Sequence, residues 1–193
     1  MYLYRQTLKL PKDKQLLLVP LGDVQGEEQL HRLDNLIAWC VAKKKEGHLI
    51  GLILTGDYFE TYSPSERVKL AGANFHETTL ETIYSNVKAQ ADDFIRRLAP
   101  LKGSVFIVLQ GHHWQDFKVN GLTTSSDRHI ANELGAEYAG DGIAVLDLLI
   151  TGIPFRIMAM HGYGTGRLPG GRVNKRLQMR DCLLYTSPSP RDS

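Results

Sequence analysis

Cysteine is scarce in this chain of 193 residues: two are present, Cys40 inside an apolar helical pattern and Cys182 near the end. That excludes a disulfide framework and a thiolate zinc cluster, so any metal must be held by oxygen and imidazole ligands. Long apolar runs are missing too. No stretch approaches the roughly 20 apolar residues of a membrane span, and Met1 to Lys14 is polar where a signal peptide would have its apolar centre. The expected compartment is therefore the cytoplasm, with no membrane partner. Neither charge dominates, since 23 Lys plus Arg face 21 Asp plus Glu for a net +2, which gives no general argument for a polyanionic partner. What is present is the balance of an ordinary globular domain, 42% hydrophobic and 23% charged, long enough to bury a substantial core.

The last stretch, Cys182-Leu-Leu-Tyr-Thr-Ser-Pro-Ser-Pro-Arg-Asp-Ser193, breaks from what precedes it, with two Ser-Pro steps and no periodicity. From Cys182 through Asp192 it resembles the in-frame translation of a transposase adapter used to prepare sequencing libraries. The expected organisation is thus one domain over residues 1–181, interrupted near Asp181, and a foreign tail over 182–193. Cys40 then remains as the one native cysteine and reads as a small buried hydrophobe.

Hydrophobic periodicity organises the rest. Gln15–Leu21 reads as a buried strand ending at Gly22-Asp23, with Pro20 at its exit, where a missing N–H is tolerable. The period then changes: Leu30, Leu33, Ile37, Cys40 and Val41 repeat at helical spacing, with Glu27 and Glu28 at the start, Lys43 to Lys45 at the end and Gly47 to close. His48–Thr55 is a second strand, stopping at Gly56-Asp57. Ser63-Pro-Ser-Glu66 supplies an N-cap, a first-turn proline and a capping-box glutamate for a helical stretch broken near Gly72, which resumes through Leu80, Val87, Phe94 and Leu98. Ser104–Gln110 is a third strand, ending at Gly111-His-His-Trp114. A helix from about Asp127 to Leu134, closed by Gly135, leads to strands Ile143–Ile150 and Ile153–Met160, joined across Thr151-Gly152 and ending at His161-Gly162. Strand and helix alternating in this way imply an α/β fold, a largely parallel sheet covered by helices with a hairpin added later.

Four strands thus end in polar clusters: Gly22-Asp23-Val-Gln25, Gly56-Asp57-Tyr-Phe-Glu60, Gly111-His112-His113 and His161-Gly162. Each alone is explained by strand-exit turns, which favour Gly and Asp. Together they set two carboxylates and three imidazoles at the edge of an α/β sheet where ligands bind, a donor set suited to manganese, iron or zinc. Gly162-Tyr-Gly-Thr-Gly166 and Gly170-Gly171 lack the lysine and spacing of a phosphate-binding P-loop and read as an active-site loop. The basic segment of Arg167, Arg172, Lys175, Arg176 and Arg180 meets either substrate phosphates or nucleic acid, or is a solvated face. Trp114 stacks on a base or is a core or rim aromatic, and His31, His48, His76 and His129 read as structural or surface histidines.

The order of these clusters resembles the calcineurin-like metallophosphoesterases, with their sequence of Asp-x-His, Gly-Asp-x-x-(Asp/Glu), Gly-Asn-His-(Asp/Glu), His-Gly and Gly-His-x-His. Gly56-Asp57-Tyr-Phe-Glu60 matches the second motif and His161-Gly162 the fourth, and the resemblance runs over residues 15–181. Gln25 stands where the family has histidine, His112 where it has asparagine, and Trp114 where it has an acid; the final motif is expected beyond Asp181. The resemblance implies a four-layer sandwich of two mixed sheets flanked by helices, and a phosphoesterase hydrolysing a phosphate mono- or diester. It makes Asp57 the carboxylate bridging two divalent ions, with Asp23 and Gln25 on one and His112 and His161 on the other. It makes His113 the catalytic histidine; separately, the charge of the basic segment sets Arg167 and Arg172 toward substrate, a nucleotide or nucleic acid among the candidates. The contrasting expectation, from Gln25, His112 and Trp114, is a phosphoesterase fold that binds metal, nucleotide or a protein without turnover.

Overall fold

A computed structural model describes residues 1–73, 76–119 and 121–162, and Met1–His161 form one compact unit. Arg167, Arg172, the glycine-rich loop after Gly162, the expected boundary at Asp181 and the tail lie outside the described residues.

The parallel sheet is built from β2 (Leu16–Leu21), β3 (Leu49–Leu54), β4 (Val105–Leu109) and β7 (Glu137–Gly140), in the order β2-β3-β4-β7. β3 and β4 occupy its centre and read as unbroken apolar runs, because both of their faces are covered. Pro20 sits in β2 on the sheet edge, where its missing N–H breaks no ladder. One face carries α1 (Glu27–Lys45), α3 (Glu77–Leu98) and α4 (Ser126–Leu134), whose buried Leu33, Ile37, Cys40, Val87, Phe94, Ile130 and Leu134 join Leu52, Leu54 and Val108 in one cluster. Cys40 is fully buried there, and burial raises its thiol, so it is the packing residue its helical spacing suggests. α1 ends as Lys43 to Gly47 imply: the Gly47 N–H bonds the Lys44 carbonyl and the His48 N–H that of Lys43, the paired bonds of a Schellman motif.

The other face packs on a second sheet of order β1-β8-β9, from β1 (Tyr2–Leu8), β8 (Ile143–Ile150) and β9 (Ile153–Met160). Ile53, Phe106, Ile107 and Leu109 meet Ala144, Leu146, Leu148 and Ala159 between the two sheets. β8 and β9 are the expected hairpin, and Thr151 and Gly152 both have positive φ, 49° and 86°, as a two-residue mirror-image turn requires. β1 runs parallel to β8. On the outer face a row of Arg5, Asp147 and Arg156 crosses the three strands, between exposed Leu3 and Met158 on one side and Leu149 on the other.

Among the described residues the architecture is therefore mixed α/β in three layers: helices, parallel sheet, mixed sheet. Four strands went unread in the sequence. β1 is a seven-residue strand ahead of the turn signals at Pro11–Lys14, β7 is four residues long, and β5 (Asp116–Val119) with β6 (Leu122–Ser125) forms a separate two-stranded ribbon. α2 (Pro64–Gly72) starts on the expected capping box, with Ser63 and Glu66 bonding each other's backbone N–H. Among the described residues no helix is long and apolar enough to cross a membrane.

Candidate metal centre

Because β2, β3 and β4 are parallel, their exits lie at one edge, and β9 ends there as well. Gly56 leaves β3 with φ 102°, and Asp57 follows at φ 55°, a left-handed conformation unusual for a residue with a β-carbon but tolerated by aspartate. Asp23 repeats this after Gly22, with φ 54°. The two turns run side by side, the Asp23 N–H donating to the Gly56 carbonyl at 3.1 Å and the Val24 N–H to the Asp57 carbonyl at 2.8 Å. Gly111, leaving β4, presses against this turn: a β-carbon on it would lie 2.2 Å from Asp57 Oδ1, and one on Gly56 would lie 2.5 Å from His161 Nδ1. The glycines let three backbones and a carboxylate share a space that side chains would fill.

The result is a cluster of three groups. Ligand atoms of Asp57, His112 and His161 all lie within 4.8 Å of one another. Asp57 is 7% exposed, while His112 is exposed, so the cluster has a buried carboxylate and an open side. His161 Nδ1 is 2.7 Å from the Thr55 carbonyl, an acceptor only, so Nδ1 carries a hydrogen and Nε2 faces inward. That inward nitrogen stands 3.3 Å from Asp57 Oδ2 and 3.2 Å from His112 Nδ1. A ring nitrogen fixed by a backbone carbonyl on its other side is the arrangement in which histidine serves as a metal ligand.

Electrostatics follow the geometry. Burial works against ionising Asp57, yet the hydrogen bonds from His161 and the His113 N–H, with the imidazole charges, outweigh it and hold the carboxyl down to about 2. The hydrogen bond to Asp57 raises His161 above its ordinary value against the cost of burial, helped by the Thr55 carbonyl and the charges of Asp57 and Asp23. An anionic carboxylate and two imidazole nitrogens converging on one point thus hold either a proton or a divalent cation.

The sequence-derived residues fall into three groups. Asp57, His112 and His161 come together. Asp23 is exposed on the adjoining turn, outside the 4.8 Å cluster although its charge reaches His161, and Gln25 is half-buried two residues on. His113 does not join the cluster through its ring. Its backbone N–H donates to Asp57 Oδ1 at 2.8 Å, and its Nδ1, 3.0 Å from the Thr61 carbonyl, must carry a hydrogen. The third group, Arg167 and Arg172, is outside the described residues.

Two neighbours carried no signal in the sequence. Asp127 is fully buried, accepting from the Gly111 N–H at 3.0 Å and the Ser126 hydroxyl at 3.2 Å, and burial pushes its carboxyl up to about 7 against those two bonds. As the second residue of a helix, it reads in the sequence as an ordinary first-turn acid. Arg67, on α2, donates to the carbonyls of Tyr62, His112 and Trp114 and lies 4.4 Å over the Trp114 ring. Trp114 is therefore a rim aromatic covered by a guanidinium. His129, expected to be structural, is buried at the edge of Phe117 with Nε2 2.9 Å from Asp92.

No protein-family model matches the chain, and no curated protein matches it either.

Proposed function

We propose that this protein is a metal-dependent phosphoesterase of the calcineurin-like kind. The observation that carries the reading is the convergence of Asp57, His112 and His161 at the carboxyl edge of a parallel sheet. In this reading Asp57, anionic at neutral pH, would be the residue shared by two divalent cations drawn from manganese, iron or zinc. His112 and His161 would help to hold one of them, and Asp23 with the Gln25 amide oxygen the other. Bound cations supply positive charge that acidifies water and offsets the charge of a phosphoryl group. His161 keeps Nε2 inward through its bond to Thr55. His113, fixed at Nδ1 by the Thr61 carbonyl, presents Nε2 to the substrate and, in its imidazolium form, gives the Nε2 proton to the departing oxygen, ending as the neutral ring with its hydrogen on Nδ1. Arg167 and Arg172 are assigned to substrate phosphate, with nucleotides and nucleic acid among the candidates, and a fourth, helical layer over the second sheet belongs to the same reading.

The test is to load the protein with Mn²⁺, determine metal content by elemental analysis after dialysis, and follow hydrolysis of an aryl phosphate monoester and diester. Metal-dependent release of phenolate supports the proposal. One observation favours a second reading: where the family has an acid beside the catalytic histidine, Trp114 lies under Arg67. Stoichiometric metal without turnover of either ester selects that reading, a phosphoesterase fold that binds without catalysis. Absence of bound metal overturns the first reading and the metal-binding form of the second.

A further inference from the structure

The two loops that supply the metal cluster come from neighbouring strands, yet the ladder between β3 and β4 ends at Leu54 and Val108, before Asp57 and His112. Beyond that point side chains set the spacing of the loops. Asp57 itself takes the His113 N–H, and the His113 ring reaches the Thr61 carbonyl. The widest span is made by Arg67. Its Nη1 donates to the Tyr62 carbonyl at 2.6 Å on the loop after Asp57, and to the His112 and Trp114 carbonyls at 2.8 and 3.0 Å on the loop after β4.

The placement of Arg67 is itself fixed. α2 begins at Pro64 on the Ser63–Glu66 capping box, so Arg67 lies in the first turn of a helix whose start is pinned. Its face is covered by Trp114, 4.4 Å from the ring centroid. A planar guanidinium can stack and still donate in its own plane, whereas an ammonium on a flexible stem does one or the other. Charge-assisted bonds to carbonyls are also stronger than neutral ones, so one half-buried cation can hold two loops together.

We propose that Arg67 is a positioning residue: it ties the Asp57 loop to the His112 loop and so sets the affinity of the cluster for a divalent cation. The inference rests on the metal-centre reading and adds to it the group that determines ligand spacing. Arg67 touches neither cation nor substrate in this role.

The test uses the full chain with Trp39→Phe, so that Trp114 is the one remaining tryptophan, since the sequence has two. Arg67→Lys and Arg67→Met are made in that background. Circular dichroism melting identifies the temperature range in which each variant is folded. Within that range Mn²⁺ affinity is measured by calorimetry, and Trp114 exposure by iodide quenching. The expected result is a loss of Mn²⁺ affinity of about 10- to 100-fold, larger for methionine than for lysine, with stronger quenching of Trp114 in both. A purely structural role would lower the melting temperature and leave the affinity of the folded protein unchanged. Affinities within about twofold of the parent overturn the proposal, and if Arg67→Met does not fold, Arg67→Lys decides alone. Parent protein that binds no Mn²⁺ at millimolar concentration overturns the metal-centre reading and the role of Arg67 with it. Parent binding with unchanged variants overturns the role of Arg67 alone.

Discussion

Gly111 and Asp57 are in contact across two loops, so close that a β-carbon on Gly111 would stand 2.2 Å from both the Asp57 amide nitrogen and its Oδ1. Neither atom belongs to a flexible side-chain end that can swing away, because Asp57 Oδ1 is held by the His113 N–H. Gly111→Ala should therefore force the loops apart, at a cost of about 1 to 3 kcal/mol by analogy with overpacked cores. Urea unfolding should show a lower midpoint, and metal titration should show weakened binding. Unchanged stability with full metal affinity would mean that the loops have room the structure does not show.

Asp57→Asn tests the carboxylate by itself. The amide keeps the volume, and its oxygen still accepts the His113 N–H, so the fold should survive. The negative charge shared with His161 is lost. Metal content after dialysis and hydrolysis of both aryl esters should fall together, to near background. Retained activity with a neutral residue here would contradict the role of Asp57 as an anionic ligand.

His112 and His113 are adjacent in sequence and separate in their proposed roles. His112→Ala deletes a ring nitrogen of the cluster and should lower metal occupancy. His113→Ala leaves the backbone N–H that serves Asp57 in place, so metal content should hold while turnover falls about 100- to 10,000-fold, the usual worth of a positioned acid or base. Elemental analysis and steady-state rates on the two variants make the comparison. Equal metal loss in both would reverse the assignment along Gly111-His112-His113.

Asp127 gives a pH signature. Its carboxyl is raised to about 7 in the fold, against an ordinary value near 4, because it is buried. Between those two values the folded chain keeps a proton that the unfolded chain has released, so this group's contribution to stability falls as pH rises through that window. Asp127→Asn, which can still accept from Gly111 and donate to the Ser126 hydroxyl, should flatten this slope. Urea midpoints should show the variant more stable than wild type at pH 8, by about 1 to 4 kcal/mol, with the advantage gone by pH 4. A slope unchanged by the substitution would place the titration elsewhere.

The strands and helices that were legible were those with an unbroken apolar run or a clear helical period: β2, β3, β4, β8 and β9, with α1, α2, α3 and α4. Their exits pointed directly at Asp57, His112 and His161, because apolar runs that stop at a Gly-Asp or Gly-His step announce a sheet edge. β1 and β7 were illegible for physical reasons: β7 is four residues long, and β1 hides its alternation because Gln6 falls on its half-buried face and Leu3 on its exposed one, so that both depend on pairing with β4 and β8. The same holds for Arg67 and Asp127. What matters about them is which backbone groups they reach, and those groups lie on other elements: Arg67 reaches His112 and Trp114, and Asp127 reaches Gly111. A first-turn aspartate and a helical arginine look the same in sequence whether they face water or a loop.

β1 pairs along its length with β8, so that Tyr2 stands beside Ala144 and Leu8 beside Ile150. β1 must therefore wait for β8, almost the last described strand, before it can bond, while β2, β3 and β4 can assemble with partners nearer in the chain. Pairings between distant segments carry a high loop-closure cost and form slowly. His161 follows β9, the strand hairpinned to β8, so its nitrogen reaches Thr55 and Asp57 only once the mixed sheet has docked on the parallel one. On the proposed reading, metal capture then comes at the end of folding. A kinetic assay that follows cation uptake during refolding would time the closing of the two sheets, with β1 unpaired and open to proteolysis until that moment.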